Sequence, residues 1–246
     1  MNRIIKITGM IMMIFVLSCE ADDPMSFYGG GELVERVEEA WIVFRDGDFD
    51  GSLAIFNSAL IDAESIEDSN ATLIRSTLGD IHTGIGWCNL RLLHAETAKK
   101  HFIKSQEFEL YSFGTSVGLM TAYYELGTVY PIDSTVVDSA IQIGHWIFSS
   151  GMPEEFEYNQ SIDVDDVRLL MAKSYYAQGD LSDNDTNEAG ALYWILELDP
   201  EYEYLEAEDS ETWYLHGHDD SGQYFDSFEE VILMIIIELE GEVFPA

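Results

Sequence analysis

Basic residues are scarce in this 246-residue chain, where 11 Lys and Arg stand against 47 Asp and Glu for a formal charge of −36. Nucleic acid is excluded as a partner on that ground, because phosphate backbones are held by clustered Lys and Arg. Lys173 is the last of the basic residues, so the remainder of the chain repels anionic surfaces and other copies of itself. Such a balance suits solubility in a salty medium, where screening over about 8 Å damps the repulsion. Cysteine is nearly missing too, with only Cys19 and Cys88. Long apolar runs are missing as well. Ile7–Val16 and Val231–Ile237 both fall short of the roughly 20 residues that a membrane-spanning helix needs. No nucleophile elbow, no cysteine-protease signature around Cys88 and no Gly-rich phosphate loop after a strand is present. Carboxylate pairs are too common in so acidic a chain to signal glycoside hydrolysis. The expectation is a protein that is not an enzyme and needs no cofactor.

What is present begins with Arg3 and Lys6, the apolar run, then Val16-Leu17-Ser18-Cys19 and the acidic turn Glu20, Asp22, Asp23. A basic start, a short apolar segment and a small-residue ending form the pattern of a cleaved leader. Its end resembles the bacterial lipoprotein box. The resemblance implies lipidation of Cys19, cleavage just before it and anchoring in the cell envelope, with the outer membrane as the expected location. Several acyl chains anchor firmly where one holds only marginally. The other reading is an ordinary cleaved signal with an unrelated cysteine. Without residues 1–18, nine basic residues face 47 acidic ones, a charge of −38. Once Cys19 is lipidated, Cys88 has no disulfide partner, so packing must supply the stability. Residues 19–31, with Gly29, Gly30 and Gly31 in a row, suit a flexible tether.

From Glu32 the apolar spacing is helical. Val34, Val37, Trp41 and Phe44 recur at steps of three and four, and Leu53, Phe56 and Leu60 repeat this after a turn at Asp46-Gly47-Asp48. Such hairpins recur to about residue 205. Ala40, Val43, Gly47-Asp48-Phe49 and Ser52-x3-Phe56 form the first unit. The second has Ile85-Gly86, Leu93 where a turn glycine is expected, and Ala98-x3-Phe102. The third has Leu119, Tyr123, Gly127 and Ala140, with Gly144 where a large residue belongs. The fourth has Met171-Ala172, Tyr175, Gly179-Asp180, an insertion at Leu181–Asn187 and Ala189-x3-Tyr193. This pattern resembles the tetratricopeptide repeat, a helical hairpin of about 34 residues. It implies an all-α, tetratricopeptide-like solenoid over residues 32–205, the competing architecture being an unrelated helical bundle. Residues 206–246 then read as a loop followed by a closing helix at Ser227–Glu240, with a strand as the alternative for its β-branched run.

Three acidic constellations invite a metal reading. Asp46-Gly47-Asp48-Phe49-Asp50-Gly51 starts like a calcium loop, but Asn57 stands where the bidentate Glu is needed, and a helix turn explains the same residues. His216, His218, Asp219 and Asp220, and the Asp183, Asp185 and Glu188 insertion, read as solvated loops. No metal site is expected.

A binding surface remains. The resemblance implies that the first helices of the hairpins line a concave face, onto which Trp41, Arg45, Trp87, Arg91, Tyr124, Lys173 and Tyr176 fall. Aromatic and Arg anchors suit contact hot spots. The other reading of Trp41 and Trp87 is inter-repeat core. The expected function is a membrane-anchored scaffold for a protein partner. Capture of a peptide or glycan, or assistance in outer-membrane assembly, are the alternatives.

Overall fold

The structure, a computed structural model, describes residues 30–66, 72–108, 112–151, 155–156, 159–182, 190–206, 209–216 and 222–243. Among them lie nine α-helices: α1 (Gly30–Arg45), α2 (Phe49–Glu64), α3 (Thr72–Arg91), α4 (Ala95–Glu107), α5 (Phe113–Thr128), α6 (Ser134–Ser150), α7 (Val164–Gln178), α8 (Ala191–Leu198) and α9 (Phe228–Val243). Consecutive helices pair as antiparallel hairpins, each second helix packs on the next hairpin's first helix, and α9 covers α7 and α8. The protein is an all-α solenoid. Two short antiparallel hairpins interrupt it, β1 (Glu155–Phe156) with β2 (Asn159–Asp163) before α7, and β3 (Tyr214–His216) with β4 (Gly222–Tyr224) before α9. Among the described residues no helix is long and apolar enough to cross a membrane.

Small residues set the spacing between helices, and large ones lock it. In α1 the buried positions Leu33, Val37, Ala40, Trp41 and Phe44 form one stripe. Ser52 of α2 donates its hydroxyl to the Ala40 carbonyl at 2.8 Å, and Cys88 of α3 approaches the same hydroxyl at 3.3 Å. Burial lifts the Cys88 thiol to about 11, so this cysteine is an inert packing residue. Between hairpins, aromatic rings of second helices sit in gaps left by glycines. A Cβ on Gly84 would lie 2.2 Å from the Phe56 ring, and one on Gly118 would lie 2.3 Å from Phe102. At the third hairpin the arrangement is reversed. Gly144 lies on the second helix, α6, and the Met171 thioether of the following first helix occupies its gap. The departure of Gly144 from the repeat pattern is therefore matched by its neighbour.

Left-handed turn residues link the helices of the first, second and fourth hairpins. Gly47 follows α1 at φ 84° and Gly179 follows α7 at φ 78°. At the corresponding place after α3 stands Leu93, at φ 61° and largely exposed. An L-residue there costs about 1–2 kcal/mol of backbone strain. Leu93→Gly should accordingly raise stability by about 1 kcal/mol, after the extra chain entropy of glycine in the unfolded state. Urea denaturation measures it, and a less stable variant would mean that the Leu93 side chain packs after all.

Several expectations shift in register. The first helix starts at Gly30, so Gly30 and Gly31 belong to it and not to the tether. In the fourth hairpin the small and large pair is Ala191 and Ile195, both fully buried, while Tyr193 is half-buried and Ala189 lies outside the described residues. The shift follows from Gly190, whose φ of 98° keeps it out of the helix and delays the first helical residue to Ala191. The apolar run 231–237 is helical. Val231, Ile232, Ile235, Ile236 and Leu239 are buried at helical spacing, which answers the strand alternative. The segment read as loop before it contains the β3–β4 hairpin and a 3-10 turn at Ser210–Thr212.

A histidine pair, His82 buried and His101 half-buried, should make this fold sensitive to acid. His82 of α3 stacks on Phe108 at 5.6 Å, and its Nδ1 lies 3.0 Å from Nδ1 of His101 on α4. One nitrogen must donate and the other accept, so protonating both rings would turn two N–H groups on each other. Burial foremost, then His101 and Lys104, lowers the His82 imidazole from 6.5 to about 4, with Glu107 opposing; burial lowers His101 as well. A folded value below the unfolded one means that the unfolded chain binds more protons between the two. The contribution is therefore complete above pH 6.5 and is lost as pH falls toward 4. His82→Gln should flatten the decline of Tm across that window, and parallel Tm curves for the two proteins would contradict the assignment.

Candidate partner-binding site

The first helices α3, α5 and α7 enclose a pocket of about 380 Å³, a size within the range of ligand sites. Four of the seven residues expected to bind line it: Trp87, Arg91, Tyr124 and Lys173. Trp87 is 4% exposed, donates its indole N–H to the Gly114 carbonyl at 3.0 Å and meets Phe102 edge-on. It is both core and pocket wall. Tyr124 is half-buried, and the Lys173 ammonium sits 5.4 Å from its ring centroid. Lys173 also bridges to Glu240 of α9 at 2.8 Å, so the closing helix completes the pocket. Arg91 is exposed in the last turn of α3, where a cation complements the helix dipole.

The other three lie elsewhere. Trp41 is 1% exposed and packs edge-on against Phe44 and Phe56, so it belongs to the core of the first two hairpins and presents no binding face. Helical geometry accounts for this, since Trp41 follows Ala40 on the stripe that meets α2 and α3. Arg45 is exposed at the end of α1 and does not line the pocket. Tyr176 is half-buried toward α9, where burial and then the Glu229 carboxylate raise its phenol.

Acidic partners not foreseen from sequence also line the pocket: Glu125 of α5, Asp166 of α7 and Glu240. Burial raises the Glu125 carboxyl, with Lys173 and Arg91 opposing. Asp166 is 5% exposed, and its Oδ2 accepts the Asp163 backbone N–H at 2.7 Å as half of a capping box that starts α7. Its Oδ1 is buried and has no hydrogen-bond partner among the described residues. Burial foremost, then the charges of Asp163 and Asp165, pushes this carboxyl up to about 6 against the Asp163 N–H and Arg91. The Asp163-x-x-Asp166 spacing signals a helix start in sequence, though not a pocket. Glu240 gives no signal at all, because it comes to Lys173 from 67 residues away.

The acidic constellations divide. Asp48 accepts the Gly51 N–H at 2.9 Å as the N-cap of α2, the role a turn demands of it. His218, Asp219, Asp220, Asp183, Asp185 and Glu188 lie outside the described residues, as do Cys19 and the leader. Among the described residues no group of three His, Cys, Asp or Glu is arranged to hold a metal.

Fold and site together define a solenoid of helical hairpins with a charged, aromatic-walled pocket between its first helices. No protein-family model, curated protein or solved structure significantly matches the chain.

Proposed function

We propose that this chain is a tetratricopeptide-like lipoprotein, anchored through Cys19 in the bacterial outer membrane, that holds a protein partner against the pocket between α3, α5 and α7. The observation carrying this reading is the convergence of Trp87, Arg91, Tyr124 and Lys173 on one pocket. Aromatic and cationic side chains around an apolar floor are what binding hot spots use. The reading assigns no catalytic step and no cofactor. Capture of a free peptide or a glycan is the second reading, favoured by the pocket's aromatic wall and its closure by α9.

A photo-crosslinking amino acid placed at Arg91 of the membrane-bound protein should give one dominant adduct, while the same group at Ile61, exposed on α2, gives none. Equal adducts at both positions, or none at either, would refute a partner at this face. A glycan array that binds the protein while position 91 stays unlinked would favour the second reading. Cys19→Ser should release the protein from membranes, and retention there would end the anchor assignment.

A further inference from the structure

We propose that the solenoid edge formed by Leu93 and residues 129–132 docks a segment of the partner that carries apolar side chains between basic flanks. This rests on the partner-holding reading and adds a second face to it. Leu93 and Glu125 line both the pocket between α3, α5 and α7 and a neighbouring depression that Val129 also lines, so the two surfaces are continuous. The turns inside the hairpins share one edge, because consecutive helices run antiparallel. In the second of these turns Leu93 is 84% exposed, and in the third Val129, Tyr130 and Ile132 are 66%, 93% and 52% exposed. Apolar residues exposed singly are ordinary, whereas four large ones on adjacent turns form a patch of the kind that marks an interaction site.

The backbone at Leu93 is an independent observation. Its φ of 61° is costly for an L-residue and free for glycine. A side chain so exposed recovers little of that cost within the fold. Strain of this sort gathers where function requires a particular residue.

Charge selects the occupant. Exposed Asp46 and Asp48 stand in the first turn, Asp133 directly follows Ile132, and half-buried Asp180 stands in the fourth turn, with Arg45 offsetting one of these charges. A second copy docked about a two-fold axis would set acidic turns against acidic turns, in chains of formal charge −36. Position disfavours lipid. Helix α1 runs from Gly30 to the first turn, so the chain that leads toward Cys19 leaves from the opposite edge. An apolar protein segment bracketed by Lys or Arg meets both conditions. Packed helices lie about 8–10 Å apart and extended residues span about 3.3–3.6 Å each, so three apolar residues bridge the two central turns and two basic ones on each side reach the acidic turns.

Three capped heptapeptides test this: Leu-Phe-Leu between Lys-Lys ends, the same core between Glu-Glu ends, and Ser-Ser-Ser between Lys-Lys ends. Titrated at physiological salt into the full-length protein in nanodiscs, the first should bind about tenfold or more tighter than either control, as burial of even one large apolar side chain implies. Leu93→Gly should weaken it about tenfold while leaving the protein at least as stable, which separates a contact role from a structural one. Tyr130→Ser, in an exposed turn, should weaken it as well, and Ile61→Ser, exposed on α2, should not.

Equal binding of the Leu-Phe-Leu and Ser-Ser-Ser peptides, or unchanged binding in both Leu93→Gly and Tyr130→Ser, overturns the assignment. So does release of the Cys19→Ser protein from phosphatidylcholine vesicles by Tyr130→Ser, which would give the patch to lipid. Should the peptides fail while position 91 still crosslinks, the partner-holding reading stands and only this edge is lost. Selective peptide binding without any crosslink at position 91 keeps the edge and removes the pocket from the partner's footprint.

Discussion

Phe102→Ala should cost about 3–5 kcal/mol, near the upper end for a buried aromatic. The ring is fully buried and lies between two helices that carry glycine where they face it. A Cβ on Gly86 would stand 2.6 Å from it, and one on Gly118 2.3 Å. Removing the ring therefore opens a cavity into which neither Gly86 nor Gly118 can lean a side chain, and Trp87, edge-on at 5.9 Å, loses its neighbour. Collapse of α3 onto α5 would refill the space, and the buried hydroxyl chain Thr83, Ser105 and Thr115, with contacts of 2.9 and 2.8 Å, resists it. Chemical denaturation measures the loss. A cost under about 1.5 kcal/mol, what a shape-conserving core swap costs, would mean that the two helices close the gap freely.

Gly144→Phe, which restores the large residue that the repeat pattern asks for, should destabilise the protein by about 1–3 kcal/mol. The Met171 thioether already fills that position, 2.2 Å from where a Cβ would stand, and Met120 lies at 3.0 Å. Met171→Ala alone should cost about 2–5 kcal/mol by emptying the same space. Combined, the two should cost clearly less than their sum, because the new ring occupies the volume the methionine vacates, and coupling of contacting residues runs to about 0.5–3 kcal/mol. Strict additivity in that double-mutant cycle would show that residues 144 and 171 do not share one gap. The same cycle tests whether α6 and α7 interlock in reverse of α2 with α3 and α4 with α5.

Both results turn on one feature of the interior, that each inter-helix gap is filled from one side only. Which side fills it was readable where the pattern was regular. Phe56 and Phe102 stood at the large position of their helices, and of the glycines opposite, Gly86 stood in the Ile85-Gly86 pair of the second unit while Gly84 and Gly118 had no evident role. At Gly144 the pattern read as a defect, because its complement Met171 belongs to another hairpin and a local window cannot see it. Leu93 shows the same limit in the backbone, since the expected turn glycine was missing while the turn itself, with positive φ, was kept. In the fourth hairpin the small-and-large pair was sought two residues too early, because the glycine that delays the helix comes after an insertion with no periodicity.

The candidate site divides along similar lines. Trp87, Arg91, Tyr124 and Lys173 were placed together by what the repeat resemblance implies, that equivalent positions of stacked first helices face the same way. Trp41 has a comparable phase yet is core, because Phe44 and Phe56 close over it. Side-chain size and phase do not reveal whether a neighbour covers a residue.

The string of amino acids alone determined the class of fold, through the period of its apolar residues and the recurrence of small and large positions, because those are properties of short segments that repeat. It set the expectation that nucleic acid is not a partner, with 11 Lys and Arg against 47 Asp and Glu, because charge is additive and needs no geometry. Tertiary structure decided which tryptophan is wall and which is core, brought Glu240 onto Lys173 across the chain, and buried Asp166 at the start of α7 beside the pocket. Those outcomes depend on contacts between residues far apart in sequence, and such contacts exist only once the hairpins have stacked.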